Sequence, residues 1–174
     1  MDSDFVREPT LRKALSIQKR KILCSTPYGT GSFLAGGLSD GVVSLFPCDG
    51  SKKVIKLIGH KGPVTCIESC FTQPYLASGS TDGTVRFWAG NEQGDSTAIS
   101  IDGTPIHSIS LSQKFDKIIV STDSYFPTIW DPRYCKKIID LEEHSSSINA
   151  CSISSDGLVA LTGSSDGTFR MFDL

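Results

Sequence analysis

What most restricts this chain is a repeat. Phe46, Trp88, Trp130 and Phe172 follow one another at intervals of 42 residues, and so do Ile22, Val64, Ile106 and Ile148. The segments 34–46, 76–88, 118–130 and 160–172 align without a gap, and four such units take up nearly all of the 174 residues. A repeated unit of this size is one supersecondary piece that hides its apolar faces only against its neighbours. The fold is therefore an array, and each unit has to be read as a copy of the others.

Each unit reads as four short strands. In the second, Val64-Thr65-Cys66-Ile67-Glu68 alternates in polarity and Tyr75–Ser80 is β-compatible. Thr84–Trp88 is a β-branched and aromatic run, and a fourth strand is predicted around Ser96–Ile101. Val54–Ile58 is the matching fourth strand of the first unit. Asp-Gly pairs at 40–41, 82–83 and 166–167 suit tight turns between second and third strands. No stretch reads as a long amphipathic helix. Four strands in a period of about 40–45 residues is the arithmetic of a propeller blade, so the fold class is all-β.

Charge and cysteine content narrow the function classes. With 17 Lys+Arg against 19 Asp+Glu the net charge is -2, which gives no general basic field for nucleic acid. No apolar run approaches the roughly 20 residues of a membrane span, and the acidic start Met-Asp-Ser-Asp-Phe does not read as a secretory signal. A cytoplasmic setting with protein partners, without nucleic acid or membrane, is expected. Of six cysteines only Cys66 and Cys70 are closely spaced, as C-x3-C, and no second pair or histidine cluster completes a zinc set. They read as small apolar fillers.

The segments Gly59-His60, Leu76-Ala77-Ser78-Gly79-Ser80, Thr81–Trp88 and Trp130-Asp131 resemble WD40 repeats. That resemblance implies a buried hydrogen-bond chain in the second unit made of His60, Ser78 (or Ser80), Asp82 and Trp88. A neutral histidine donates at one ring nitrogen and accepts at the other, whereas tryptophan only donates, so the set is chemically coherent. The fourth unit keeps His144, Thr162 and Asp166 but has Phe172 in place of the tryptophan. The first keeps Asp40, with Gln18, Gly36 and Phe46 elsewhere; the third keeps Trp130, with Asp102, Val120 and Ser124 elsewhere. These histidines and aspartates read as structural, and no catalytic set, phosphate loop or cofactor motif stands outside the repeat. The expectation is a non-enzymatic scaffold without a cofactor.

Binding residues are sought on the loops, which vary while strands hold them in place. One rim gathers the first-to-second and third-to-fourth connections, with Lys52, Lys53, Arg133, Lys136 and Lys137. The opposite rim gathers Lys19, Arg20, Lys21 and Lys61, with Tyr125 and Phe126 in a turn. An acidic partner surface suits the cations, and the aromatic pair suits an anchoring role. Glu8-Pro9-Thr10-Leu11, Lys61–Cys66 and Thr84–Trp88 leading into Gly94-Asp95-Ser96-Thr97 are similar to the centriolar WD40 proteins called proteome-of-centriole protein one. That resemblance implies a microtubule-associated scaffold of centriole, basal body or axoneme, with tubulin or other centriolar proteins as partners. The subfamily has seven repeats and a coiled coil, whereas this chain has four repeats and no heptads. An adaptor or substrate receptor in a ubiquitin-ligase or signalling complex is the alternative.

One propeller-type domain over 1–174 is expected, with blades at about 20–60, 61–102, 103–144 and 145–174. The repeat offset maps Pro9–Ile17 onto a fourth strand, so Thr10–Ser16 is expected to close the last blade, which otherwise ends after its third strand. Ring closure by four blades alone, closure by association with another copy or a partner, and a fragment of a larger propeller are all open, association being favoured.

Overall fold

The computed structural model describes residues 20–29, 31–49, 53–89, 96–101 and 103–174. Among them are fifteen strands and no helix. The first blade comprises β1 (Ile22–Tyr28), β2 (Phe33–Leu38), β3 (Val42–Pro47) and β4 (Ile55–Ile58). The second comprises β5 (Val64–Ser69), β6 (Tyr75–Ser80), β7 (Thr84–Ala89) and β8 (Ser96–Ser100). The third comprises β9 (Ile106–Leu111), β10 (Ile118–Thr122), β11 (Thr128–Asp131) and β12 (Lys136–Asp140). The fourth has β13 (Ile148–Ile153), β14 (Val159–Ser164) and β15 (Phe169–Asp173). Within every blade the strands run antiparallel in chain order. The all-β, propeller-type WD40 architecture is thus present, with a three-stranded last sheet among the described residues. Residues 9–17, expected to supply its outer strand, lie outside the described residues.

The Asp-Gly pairs make one turn three times. The amides of Gly41, Gly83 and Gly167 donate to the carbonyls of Leu38, Ser80 and Ser164, at 3.2 Å in each case. All three glycines sit at φ near +80°, a region that costs them nothing and costs other residues dearly. The result is the three-residue hairpin loop whose last position is left-handed.

Because side chains alternate across a strand, each inner strand serves two junctions. Leu76 and Trp88 of the second blade pack back against Ala35, Val43, Leu45 and Leu57 of the first. The next residue along, Ala77, packs forward with Val85 and Phe87 against Ile106, Ile109 and Ile118 of the third. Ile119, Ile129 and Leu141 of the third then meet Ile153 and Ala160 of the fourth. The core is therefore three slabs, one per junction, and it fixes the rims on which the loops stand.

The buried histidine network and the rims

The second blade carries the sequence-derived set as one connected chain. Trp88, fully buried on β7, donates its indole N–H to Ser78 Oγ at 2.8 Å. Ser78 Oγ lies 2.8 Å from His60 Nε2, and His60 Nδ1 lies 3.2 Å from Asp82 Oδ2 and 3.0 Å from Thr84 Oγ1. The indole only donates and the carboxylate only accepts. One arrangement satisfies all members: Ser78 donates its hydroxyl hydrogen to Nε2, and the proton on Nδ1 points to Asp82 and Thr84. His60 is accordingly neutral. Burial holds it below the ordinary imidazole value despite the nearby Asp82 charge.

Asp82 is fixed from several sides. Burial works against its charge, but the Thr84 hydroxyl at 2.6 Å and the amides of Lys61 at 2.7 Å and Thr84 at 2.9 Å outweigh it. Its carboxyl is held down at about 2. Ser80 stays out of the chain and instead locks the turn, donating to the Gly62 carbonyl and accepting from the Asp82 amide.

The fourth blade repeats the pattern at the same spacing. His144 Nε2 meets Thr162 Oγ1 at 2.7 Å, its Nδ1 meets Asp166 Oδ2 at 2.8 Å, and Thr168 clamps Asp166 through hydroxyl and amide. Phe172 supplies no donor to Thr162. In the first blade Asp40 pairs instead with Arg20 Nε at 3.0 Å. In the third, the Trp130 indole turns to Thr128 Oγ1 at 2.8 Å. Gln18 and Asp102 lie outside the described residues. Thr84, Thr168 and Thr128 were missed in the sequence, although Asp-Gly-Thr at 82–84 and 166–168 was a legible sign of the first two. His107 stands exposed on β9, paired with Asp123 at 2.6 Å.

All six cysteines are free thiols, and burial pushes Cys66 up to about 12 and Cys24 and Cys151 up to about 11. These three are protonated at neutral pH and are poor nucleophiles or ligands. Among the described residues no three His, Cys, Asp or Glu side chains are placed to hold a metal ion.

The rims differ from their expected composition. Arg133 forms a forked pair with Asp131 at 3.0 and 2.7 Å, and its guanidinium lies 5.6 Å from the Tyr134 ring centre. Lys137 pairs with Asp140 at 2.6 Å. Lys136 and Lys137 open strand β12 and do not sit in the loop before it. With Arg20 on Asp40, three of the cations read as partner-binding are matched by local carboxylates. Lys21, Lys61 and Lys136 are exposed and make no ion pair among the described residues. Lys53 is described at the start of the β4 segment, and Lys19 and Lys52 lie outside the described residues. Tyr125, at 56% exposure, and Phe126 stand on the opposite rim between β10 and β11. On the first rim a cleft of about 510 Å³ opens between the second and third blades, lined by Tyr75, Phe87, Ser96, Lys114, Phe115 and Arg133.

Comparison with known proteins agrees with this construction. The family model described as WD domain, G-beta repeat matches residues 51–89 and 135–173. These are the stretches that hold His60 with Asp82 and His144 with Asp166. Each match begins before the fourth strand of one blade and ends on the third of the next, so the sequence unit bridges two blades. Coronin-7 of Mus musculus is 27% identical over 141 residues, covering 76% of this chain and 15% of that protein. The WD repeat-containing protein 53 homolog of Dictyostelium discoideum is 39% identical over 82 residues, 42% of this chain and 22% of that protein. The U3 small nucleolar RNA-associated protein 15 homolog of Xenopus laevis is 23% identical over 211 residues, 97% of this chain and 40% of that protein. The chain thus spans less than half the length of these relatives. Among solved structures, the computationally designed Ika4 protein superposes with a TM-score of 0.78 at 19% identity, covering 92% of this chain and 96% of that one. From the 42-residue period, the blade topology, the histidine networks and the family match, residues 51–89 and 135–173 are WD40 repeats set in an array of propeller-type blades.

Proposed function

We propose that the chain is a non-enzymatic scaffold for protein–protein interaction, with its partner surface on the rim that carries Tyr125 and Phe126. The observation that supports this is a substitution within the repeat. Tyr125 and Phe126 occupy the places that Gly83 and Thr84, or Gly167 and Thr168, hold in the network blades. The third blade has given up the histidine network at this turn and presents two large aromatic residues to solvent instead. Such side chains serve no core there and are the residue types that anchor protein partners. Lys21 and Lys61 share this rim and favour an acidic partner.

The resemblance to centriolar WD40 proteins supports a cytoskeletal placement, with the acidic surface of microtubules as the partner. Co-sedimentation with microtubules tests it. Binding is expected at low salt and should weaken as salt rises, since exposed charges are screened over about 10 Å at 0.1 M. Tyr125→Ala with Phe126→Ala should weaken it about tenfold or more at every salt concentration with an unchanged circular dichroism spectrum. Absence from the pellet at low salt overturns the cytoskeletal placement, and undiminished pelleting of the double variant overturns the choice of rim. The relatives named for U3 small nucleolar RNA association favour a second reading, a scaffold in a ribonucleoprotein assembly. A chain of net charge -2 would enter such an assembly through its proteins.

A further inference from the structure

The two outermost faces of the blade array carry the residues that form the two sides of each internal junction. At each internal junction, a β-branched residue opening the first strand of one blade seats over a small residue on the second strand of the blade before it. Val64 lies over Gly37 so closely that a Cβ on that glycine would stand 2.6 Å from its Cγ1. Ile106 lies over Gly79 at the same 2.6 Å. Ser121 holds the third seat and Ile148 is buried. By the 42-residue period the fourth seat is Gly163 and the fourth insert is Ile22. In the folded chain neither is used: a Cβ on Gly163 meets nothing within 4 Å, and Ile22 is 44% exposed.

The faces around them match the same description. Val43 and Val85 are fully buried, whereas Phe169, at their place in the fourth blade, is 83% exposed. Leu45 and Phe87 are buried, whereas Met171 is 68% exposed; Ala35, Ala77 and Ile119 are buried, whereas Leu161 is 45% exposed. A shallow apolar groove on this face is lined by Ala150, Cys151, Leu161, Gly163 and Phe169.

We propose that a second copy of this chain covers both faces, the Ile22 edge of each copy seating on the Gly163 face of the other. The occupant is specified by the repeat itself: the seat has the form that already receives Val64 and Ile106, and the insert is the missing member of the same series. Two copies about a twofold axis satisfy both faces of each chain with one kind of contact, and closure at two is the part of the proposal that the solution mass decides. The junction continues the apolar slabs that join the blades within the chain.

Multi-angle light scattering of the full chain at tens of micromolar is the test. The wild type is expected at twice the chain mass. Gly163→Val adds a side chain where the single chain has open space, on an extended backbone, yet fills the seat that Ile22 needs. It should run at single-chain mass with an unchanged circular dichroism spectrum, and so should Ile22→Glu. Mixing the two variants leaves one junction intact, that between the Ile22→Glu chain's own seat and the Gly163→Val chain's own Ile22, and should restore a two-chain species. A wild type at single-chain mass overturns the proposal in favour of another occupant, such as further blades. A wild type of three or more chains, a Gly163→Val variant that keeps twice the mass, or a mixture that recovers nothing overturns the head-to-tail pairing.

Discussion

His60 shows at the residue scale how a group that resembles a catalytic base is committed to the fold. Its two nitrogens are both engaged, and only its neutral form lets Ser78 donate to Nε2 while accepting from the Trp88 indole. Removing one member orphans buried partners, which costs about 1–3 kcal/mol. His60→Ala and Asp82→Ala should each lower the unfolding free energy by that amount in urea titration, with partner binding reduced only in proportion to unfolding. Full stability combined with lost binding would place these residues in a binding site instead. The network also sets a pH response. The folded-state pKa of His60 is lowered, so the unfolded chain takes up that proton first, and stability falls as pH drops below about 6.5. The Asp82 carboxyl, at about 2 against an ordinary 3.8, contributes stability above the higher value that is lost as pH falls through the lower. Denaturation midpoints in a pH series should decline in both windows, and Asp82→Asn should flatten the second.

At the scale of the element, the turn between β9 and β10 departs from its copies in an informative way. Phe115 holds a left-handed backbone at φ 55°, where the equivalent residues Gly31 and Gly157 sit at 83° and 75°. A bulky residue there is strained by about 1–3 kcal/mol. Its ring is buried, stacks on Tyr75 at 4.2 Å and meets Phe87 edge-on at 6.0 Å, closing the floor of the interblade cleft. Losing a buried phenylalanine costs about 3–5 kcal/mol, which exceeds the relief. Phe115→Gly should therefore destabilise the chain by about 1–3 kcal/mol in urea unfolding. A gain in stability would show that strain outweighs packing at this turn.

The whole molecule is held by its three internal junctions, and these are close-fitting. Gly37→Ala and Gly79→Ala would each force a Cβ to within 2.6 Å of a side chain of the next blade. Overpacking of this kind costs about 1–3 kcal/mol, so both should lower the thermal midpoint, and unchanged melting would mean that the blades separate easily. The period, the β class, the strand positions within a residue or two, and the Asp-Gly turns were all legible in the sequence. The sequence also marked His60, Ser78, Asp82 and Trp88, because they recur at one spacing, whereas the Thr84 clamp on Asp82 came only with the structure. Ser78 was already preferred over Ser80, but alternation puts both on one face of β6, and the structure separates them by turning Ser80 to the Gly62 carbonyl and the Asp82 amide. The tertiary structure alone decided which rim cations stay free. Arg20, Arg133 and Lys137 are matched by Asp40, Asp131 and Asp140 through side-chain reach that spacing does not encode. It alone decided, too, that Phe169 is exposed where Val43 and Val85 are buried. The three residues are equivalent in the repeat, but burial belongs to the neighbour that covers a side chain as much as to the side chain, and a repeat does not state where its neighbours stop.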